Sequence, residues 1–306
     1  MNNYVCPYCR VNINENAGSL SCPSCSRNFP VKDGIPVFFD MGQDNADLLT
    51  VGRLINELRN TKFLPGDTDG RFLLPDRVWD LSAIKSENKS FGSFRRYFNP
   101  SELKILVVSA GAGREVNRLL KDGAQDIYYT DISFEAVKYI KETAGKVFPG
   151  RGLERKGFVA DAAMLPFRDD FFELLLVYCS IHHYPDIRAF VREAHRVAKN
   201  ICILSEPAVL PVFQPLLELT RWDKKNDYSP EIDIHRIPVK EYERYLGSLY
   251  SKVKVQRLWT FYPRFLGKFG NNRLFAAIYF GTLRLLDIFF GWCSHSVNFY
   301  GFEKHS

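Results

Sequence analysis

The chain has 306 residues, 46% hydrophobic and 25% charged, which excludes a disordered or low-complexity protein and allows one large domain plus a small one. A net charge of +6 is too weak to name a nucleic-acid partner by itself. The opening MNNYVCPYC has no apolar signal core, so secretion is not expected and the protein is read as cytoplasmic.

The first element is a cysteine framework. Cys6-x-x-Cys9 and Cys22-x-x-Cys25 stand twelve residues apart, while Cys179, Cys202 and Cys293 are scattered in apolar context. Paired CxxC turns point four thiolates inward, the tetrahedral set that holds Zn²⁺. Two disulfides or a redox pair are the other readings, and a non-secreted chain argues against disulfides. Four sulfur ligands leave no open position for water, so the metal would be structural, and its binding would supply folding energy to a segment too short for a core of its own. Asp33-Gly34 then marks a turn between two short apolar runs in RNFPVKDGIPVFF. The features CPYC, SCPSC and FPVKDGIPVF resemble the zinc-ribbon module found beside or fused to S-adenosylmethionine-dependent methyltransferases, over about a tenth of the chain.

Residues 41–100 read as a helical linker region. Leu48, Leu54, Ile55 and Leu58 fall at helical spacing in residues 44–60, and LPGDTDG, residues 64–70, is loop. SFRRYF, residues 93–98, mixes Arg95 and Arg96 with aromatics and reads as a solvated helix edge.

From residue 103 strand and helix alternate. KILVVSA, DIYYTDIS, KGFVADAA, FFELLLVYCSI and NICILSEPA are expected strands, and REVNRLLKDG, FEAVKYIKETAGKVF and IRAFVREAHRVAK helices. That rhythm implies an α/β fold with a doubly wound, mostly parallel sheet, where ligands bind at the carboxyl ends of the strands. The first strand runs into AGAG. Gly111 and Gly113 suit a tight turn that lets backbone approach a ligand, and Asp131 closes the next strand, where an acid can grip ribose hydroxyls. Val116 stands where a dinucleotide fold prefers a third glycine, and Glu115 follows the turn closely. A diphosphate is therefore poorly served, whereas S-adenosylmethionine, which has no phosphate, tolerates both.

Together AGAG, TDIS, ADAAMLPF, CSIHHYPD and REAHRVAK resemble the class I methyltransferases that act on small molecules, lipids and RNA, and the likeness covers residues 103–207. It implies a Rossmann-like methyltransferase domain over residues 101–306 after a ribbon at 1–40. The cofactor would be held by Ser109, Ala110, Gly111, Gly113, Asp131, Ile132, Asp161, Ala162 and Tyr178, with Asp161 accepting from the adenine amino group. Two positions depart from the family pattern. Val107 replaces the usual acid and is expected buried, the strand having repacked around it. Ser109 replaces a glycine, so its backbone is expected to be ordinary.

The expected chemistry is in-line transfer of the sulfonium methyl, driven by proximity and alignment, with a base if the acceptor is a hydroxyl. His183 is the first choice of base, with His182 and Glu206 beside it at the strand ends. A packing or loop-ordering role for His183 is an equal alternative, and His195 reads as structural. Residues 208–250 are expected to cap the substrate side, followed by a strand in KVKVQRLWTFY, a hydrophobic helix over 272–292 and a last strand in HSVNFYGFEK. Arg284 and Asp287 interrupt that helix and argue against a membrane span. It reads as core or a homodimer interface, with peripheral membrane contact as the other option. The expected acceptor is a small or lipid-like molecule. The alternatives are a ribosomal RNA or tRNA methyltransferase, and a non-catalytic zinc-ribbon interaction protein on a degenerate fold.

Overall fold

The structure is a computed structural model that describes residues 3–16, 18–39, 89–150, 152–210, 236–259 and 273–305. The expected helix at 44–60, the loop at 64–70 and residues 211–235 of the expected cap lie outside them. By contacts the chain divides into two compact units, one of residues 1–73, 99–177 and 186–201, the other of residues 74–98, 178–185 and 202–306.

In the first unit the amino-terminal strands β1 (Asn14–Asn16), β2 (Ser19–Ser21), β3 (Asn28–Lys32) and β4 (Ile35–Pro36) form an antiparallel sheet in sequence order. The turn between β3 and β4 has positive φ at both Asp33 and Gly34, the backbone that a two-residue Asp-Gly hairpin loop requires. Next come β5 (Lys104–Val108), α1 (Arg114–Lys121), β6 (Asp126–Asp131), α2 (Phe134–Val147), β7 (Gly157–Val159), β8 (Phe172–Tyr178), α3 (Ile187–Val197) and β9 (Ala198–Pro207). Strands β8, β5, β6 and β7 are parallel neighbours: Val107 pairs with Leu176 on one side and Tyr129 on the other, and Asp131 pairs with Val159. Buried on both faces, these strands are near-continuous apolar runs such as ILVV and LLLV, which is why they stand out in sequence.

The ribbon is attached to the free edge of this sheet. Val37 bridges Val159 in parallel, the Phe38 N–H donates to the Val159 carbonyl at 2.8 Å, and the Val5 N–H donates to the Pro166 carbonyl at 3.0 Å. Side chains follow the backbone. The Tyr4 ring lies 5.1 Å from Phe38, 5.8 Å from Phe158 and 5.3 Å from Phe167, and burial raises its phenol above the ordinary range. Helix α2 holds the hairpin through Lys138 on the Asp33 carboxylate and Lys141 on the Asp33 carbonyl, each at 2.5 Å.

In the second unit α4 (Val239–Gly247), β10 (Tyr250–Leu258), α5 (Arg273–Phe290) and β11 (Ser296–Lys304) complete the described elements, with a short helix at 89–94. β10 and β11 are antiparallel, with Val255 opposite Phe299. The large sheet runs β10-β11-β9-β8-β5-β6-β7, so the last strand inserts beside β9 rather than at the edge. Arg95 and Arg96 are exposed just past the short helix, as a solvated helix edge should be.

Because Phe38 is buried between ribbon and sheet, Phe38→Ala should cost about 3–5 kcal/mol in urea denaturation. Metal release, read with a chromogenic chelator, and loss of the sheet signal in circular dichroism should occur in one transition. Release of metal well before the sheet melts would show that the ribbon is an independent domain.

Candidate cofactor and metal sites

The glycine turn is built by the end of β5. Ser109 leaves the strand with φ +50°, the Ala110 N–H reaches across to the Thr130 carbonyl at 3.0 Å, and Gly111 follows at φ +49°. The Gly113 N–H closes on the Ala110 carbonyl at 2.7 Å, and Gly113, at φ +83°, caps α1. The expectation for Ser109 is thus corrected. Its backbone is left-handed, a conformation that costs a residue with a Cβ about 1–2 kcal/mol; the reversal that aims Ala110 at β6 begins two residues before the first glycine. Gly113 is needed for a reason beyond ligand approach. A Cβ there would lie 2.7 Å from Cγ1 of Ile140 on α2.

Asp131 organises the turn. Its buried carboxylate accepts from the Gly111 N–H through Oδ2 at 2.9 Å and from the Ser133 N–H through Oδ1 at 2.9 Å. One side chain therefore ties the turn after β5 to the turn after β6. Val107 is fully buried, as expected, so the strand is packed at the position of the missing acid. Asp161 is half-buried past β7, with Oδ1 accepting from the Ala163 N–H at 2.8 Å. Ala110 and Ala162 are buried, and Ile132 is partly exposed.

A brace that the sequence reading missed supports the loop after Asp161. Glu193 accepts from the Leu165 N–H at 2.6 Å, while Arg10 and Arg196 donate to the Leu165 carbonyl at 2.9 and 3.1 Å. Arg10 and Arg196 also pair with Glu193, and Arg196 with Asp169. Burial works against the charge of Arg196, but Glu193 and Asp169 outweigh it and raise its pKa. The signal was present as Glu193 and Arg196, three apart in REAHRVAK, but their shared target lies in another loop.

The four ribbon cysteines come together. Their sulfurs lie within 4.8 Å of one another, with Cys6–Cys25 at 3.7 Å, Cys6–Cys9 at 3.5 Å and Cys9–Cys22 at 3.4 Å. A tetrahedral Zn–S site with bonds near 2.3 Å separates its sulfurs by about 3.8 Å, so the spacing fits. The two knuckles are conformational copies. Arg10 N–H donates to the Cys6 carbonyl at 2.8 Å and Ser26 N–H to the Cys22 carbonyl at 3.0 Å, both donors at positive φ. Backbone and side-chain hydrogen bonds from Arg27 pull the Cys25 thiol down to about 6, while burial raises Cys6 and the hydrogen bond with Cys25 raises Cys9.

The second unit holds the remaining site residues. Tyr178 stacks on Phe91 with centroids 5.6 Å apart. Glu206 is fully buried; Oε1 accepts from the Ser180 and Ile181 N–H groups at 2.7 and 3.1 Å, and Oε2 meets His182 Nδ1 at 2.8 Å. Facing a carboxylate, Nδ1 is assigned the proton. His182 is buried, whereas His183, its ring 4.0 Å away, is half-buried, and His195 is a partly exposed residue of α3.

Asp131→Ala would leave two backbone donors without their acceptor and should lower stability by about 1–3 kcal/mol in cofactor-free protein. Asp131→Asn, which keeps an acceptor oxygen, should cost less. Ser109→Gly relieves the left-handed strain and should match or exceed the wild-type melting temperature. A marked drop for Ser109→Gly, or none for Asp131→Ala, would contradict this turn.

Residues 106–204 match the methyltransferase domain family. An uncharacterized methyltransferase of Bacillus subtilis, YcgJ, is 33% identical over 102 residues, which are 33% of this chain and 38% of that protein. The match thus spans well under half the length of the curated relative. Among solved structures, the MccD protein superposes with a TM-score of 0.50 at 17% identity, over 71% of this chain and 96% of that one. The crystal structure of the Bacillus subtilis YcgJ protein gives 0.48 at 18% identity, over 72% of this chain and all of that one. The likeness to the MccD protein is one of fold. The sequence match is of another kind: residues 106–204, which resemble the methyltransferase domain, include the glycine turn and Asp131.

Proposed function

We propose that this protein is an S-adenosylmethionine-dependent methyltransferase for a small or lipid-like acceptor, with one structural zinc in its ribbon. The observation that carries the reading is Asp131. Its two oxygens accept the Gly111 and Ser133 N–H groups, which sets a carboxylate at the carboxyl end of β6 beside the glycine turn, the place where an acid grips a ribose diol. Gly111 brings bare backbone to the same place. Asp161, oriented by the Ala163 N–H, is suited to the adenine amino group, with Met164 and Ala162 beside it in the chain. When bound, the cofactor supplies an electrophilic methyl group on a sulfonium.

The residues after β8 take the acceptor role in this reading. Glu206 is committed to Ser180, Ile181 and His182, and so serves as a positioning residue that fixes the turn at 180–183. His183, half-buried, is the base for a hydroxyl acceptor. A small or lipid-like acceptor rather than RNA is supported by the modest net charge of +6. Cys6, Cys9, Cys22 and Cys25 would hold the zinc, closed to water and without a part in the chemistry.

Isothermal titration should show one S-adenosylmethionine per chain, and metal analysis one zinc. Asp131→Asn should weaken cofactor binding about tenfold or more, since a hydrogen bond to a charged acceptor contributes about 1.5–3 kcal/mol. Incubated with methyl-labelled cofactor and a cell extract, the protein should place label in the small-molecule or lipid fraction. An unchanged dissociation constant for folded Asp131→Asn would remove the cofactor assignment, and label in RNA alone would replace the acceptor class.

A further inference from the structure

Helix α5 is inverted relative to a soluble surface helix. Leu274, Ile278, Leu285, Ile288, Phe289 and Trp292 are all exposed, Leu274 at 71% and Ile288 at 73%. The first five, spaced by four, seven, three and one residues at 100° per residue, share one side of the helix with exposed Gly281; exposed Phe290 lies off that side at the helix end, and Trp292 follows in the short turn Gly291–Cys293. Buried Leu283 points the opposite way, so the apolar stripe faces away from the protein. On α5 the stripe runs about 23 Å from Leu274 to Phe289 at 1.5 Å per residue.

Charge says what the stripe faces. In sequence, residues 259–293 contain Arg264, Lys268, Arg273 and Arg284 against a single acid, Asp287. Asp287 is turned to the protein side. It accepts from the Trp259 N–H at 2.8 Å and pairs with Lys89. Arg284 is exposed beside the stripe. Among the described residues of α5 the outward side is therefore apolar, with exposed Arg284 at its border and no acid, and exposed Trp292 follows it in the chain. Among the described residues no helix is long and apolar enough to cross a membrane. A second copy of this chain would bring the same basic charge to the interface, whereas an anionic bilayer complements it.

We infer that α5 is an interfacial helix that docks this protein on an anionic lipid surface, with the stripe from Leu274 to Phe289, and Trp292 after it, buried at the headgroup–acyl boundary. The docking needs no covalent step and holds whichever acceptor the enzyme uses.

Full-length protein is incubated with vesicles of equimolar phosphatidylcholine and phosphatidylglycerol, and with vesicles of phosphatidylcholine alone, then pelleted. It should pellet with the anionic vesicles, more weakly with the neutral ones, and less as salt rises. Arg284→Gln should reduce anionic binding about fivefold. The Ile288→Glu/Phe289→Glu double variant should reduce it more than about tenfold, with an unchanged melting temperature because both side chains are exposed. Trp292 fluorescence should shift to the blue on vesicle addition, and the shift should be lost in Trp292→Phe. Failure to pellet with either vesicle, or full binding by the double variant, overturns the inference. So does a wild-type dimer in analytical ultracentrifugation that the double variant dissolves, because that result gives the stripe to a second copy. If the double variant does not fold, Arg284→Gln and Trp292→Phe carry the same decision.

Discussion

One carboxylate holds the candidate cofactor site together. A turn of the type Ser109–Gly113 has three left-handed residues, closed by the Gly113 N–H on the Ala110 carbonyl. Its tie to the next strand comes from the Ala110 N–H on the Thr130 carbonyl and from Asp131, which accepts from Gly111 in that turn and from Ser133 in the next. The acid missing at position 107 is thereby not replaced in kind. A buried valine fills the strand, and the task of fixing the glycine turn falls to the acid one strand over. Under the proposed function the same group would hold the ribose, so ordering of the loop and binding of the cofactor would rest on one side chain.

A second constraint runs from the ribbon into this unit. The first knuckle places Arg10 immediately after Cys9, and its guanidinium reaches Glu193 and the Leu165 carbonyl. Leu165 is four residues past Asp161. Metal at the cysteines would thus fix the backbone that carries Arg10, and Arg10 in turn helps fix the loop that follows Asp161. Backbone bonds at Val5 and Phe38 and the aromatic cluster around Tyr4 make the same connection through the sheet edge.

Much of the fold was legible because parallel strands buried on both faces are continuous apolar runs, and the helices between them keep a 3.6-residue period. The Asp33-Gly34 hairpin and the paired cysteines were legible because their chemistry is local. Other features depend on partners distant in sequence. Nothing around Ser109 announces a left-handed backbone; that follows from where Thr130 lies. Glu206 reads as a strand-end acid, yet its oxygens are taken up by a turn about 25 residues earlier. Glu193 and Arg196 were seen as a helix motif, but their target is the loop at 165–167. In the hydrophobic helix α5 the residue types were plain, but which side faces outward depends on the anchoring of Asp287 by Trp259 and Lys89.

The central claim is that the turn held by Asp131 is the cofactor site and is already formed before the cofactor arrives. Hydrogen–deuterium exchange with and without S-adenosylmethionine tests it most directly. The account predicts that peptides covering 109–113, 131–133 and 161–165 are partly protected in cofactor-free protein and gain protection together when cofactor is added. Rapid exchange of Gly111 and Ser133 in the free protein, or protection gained only outside these three segments, would contradict it.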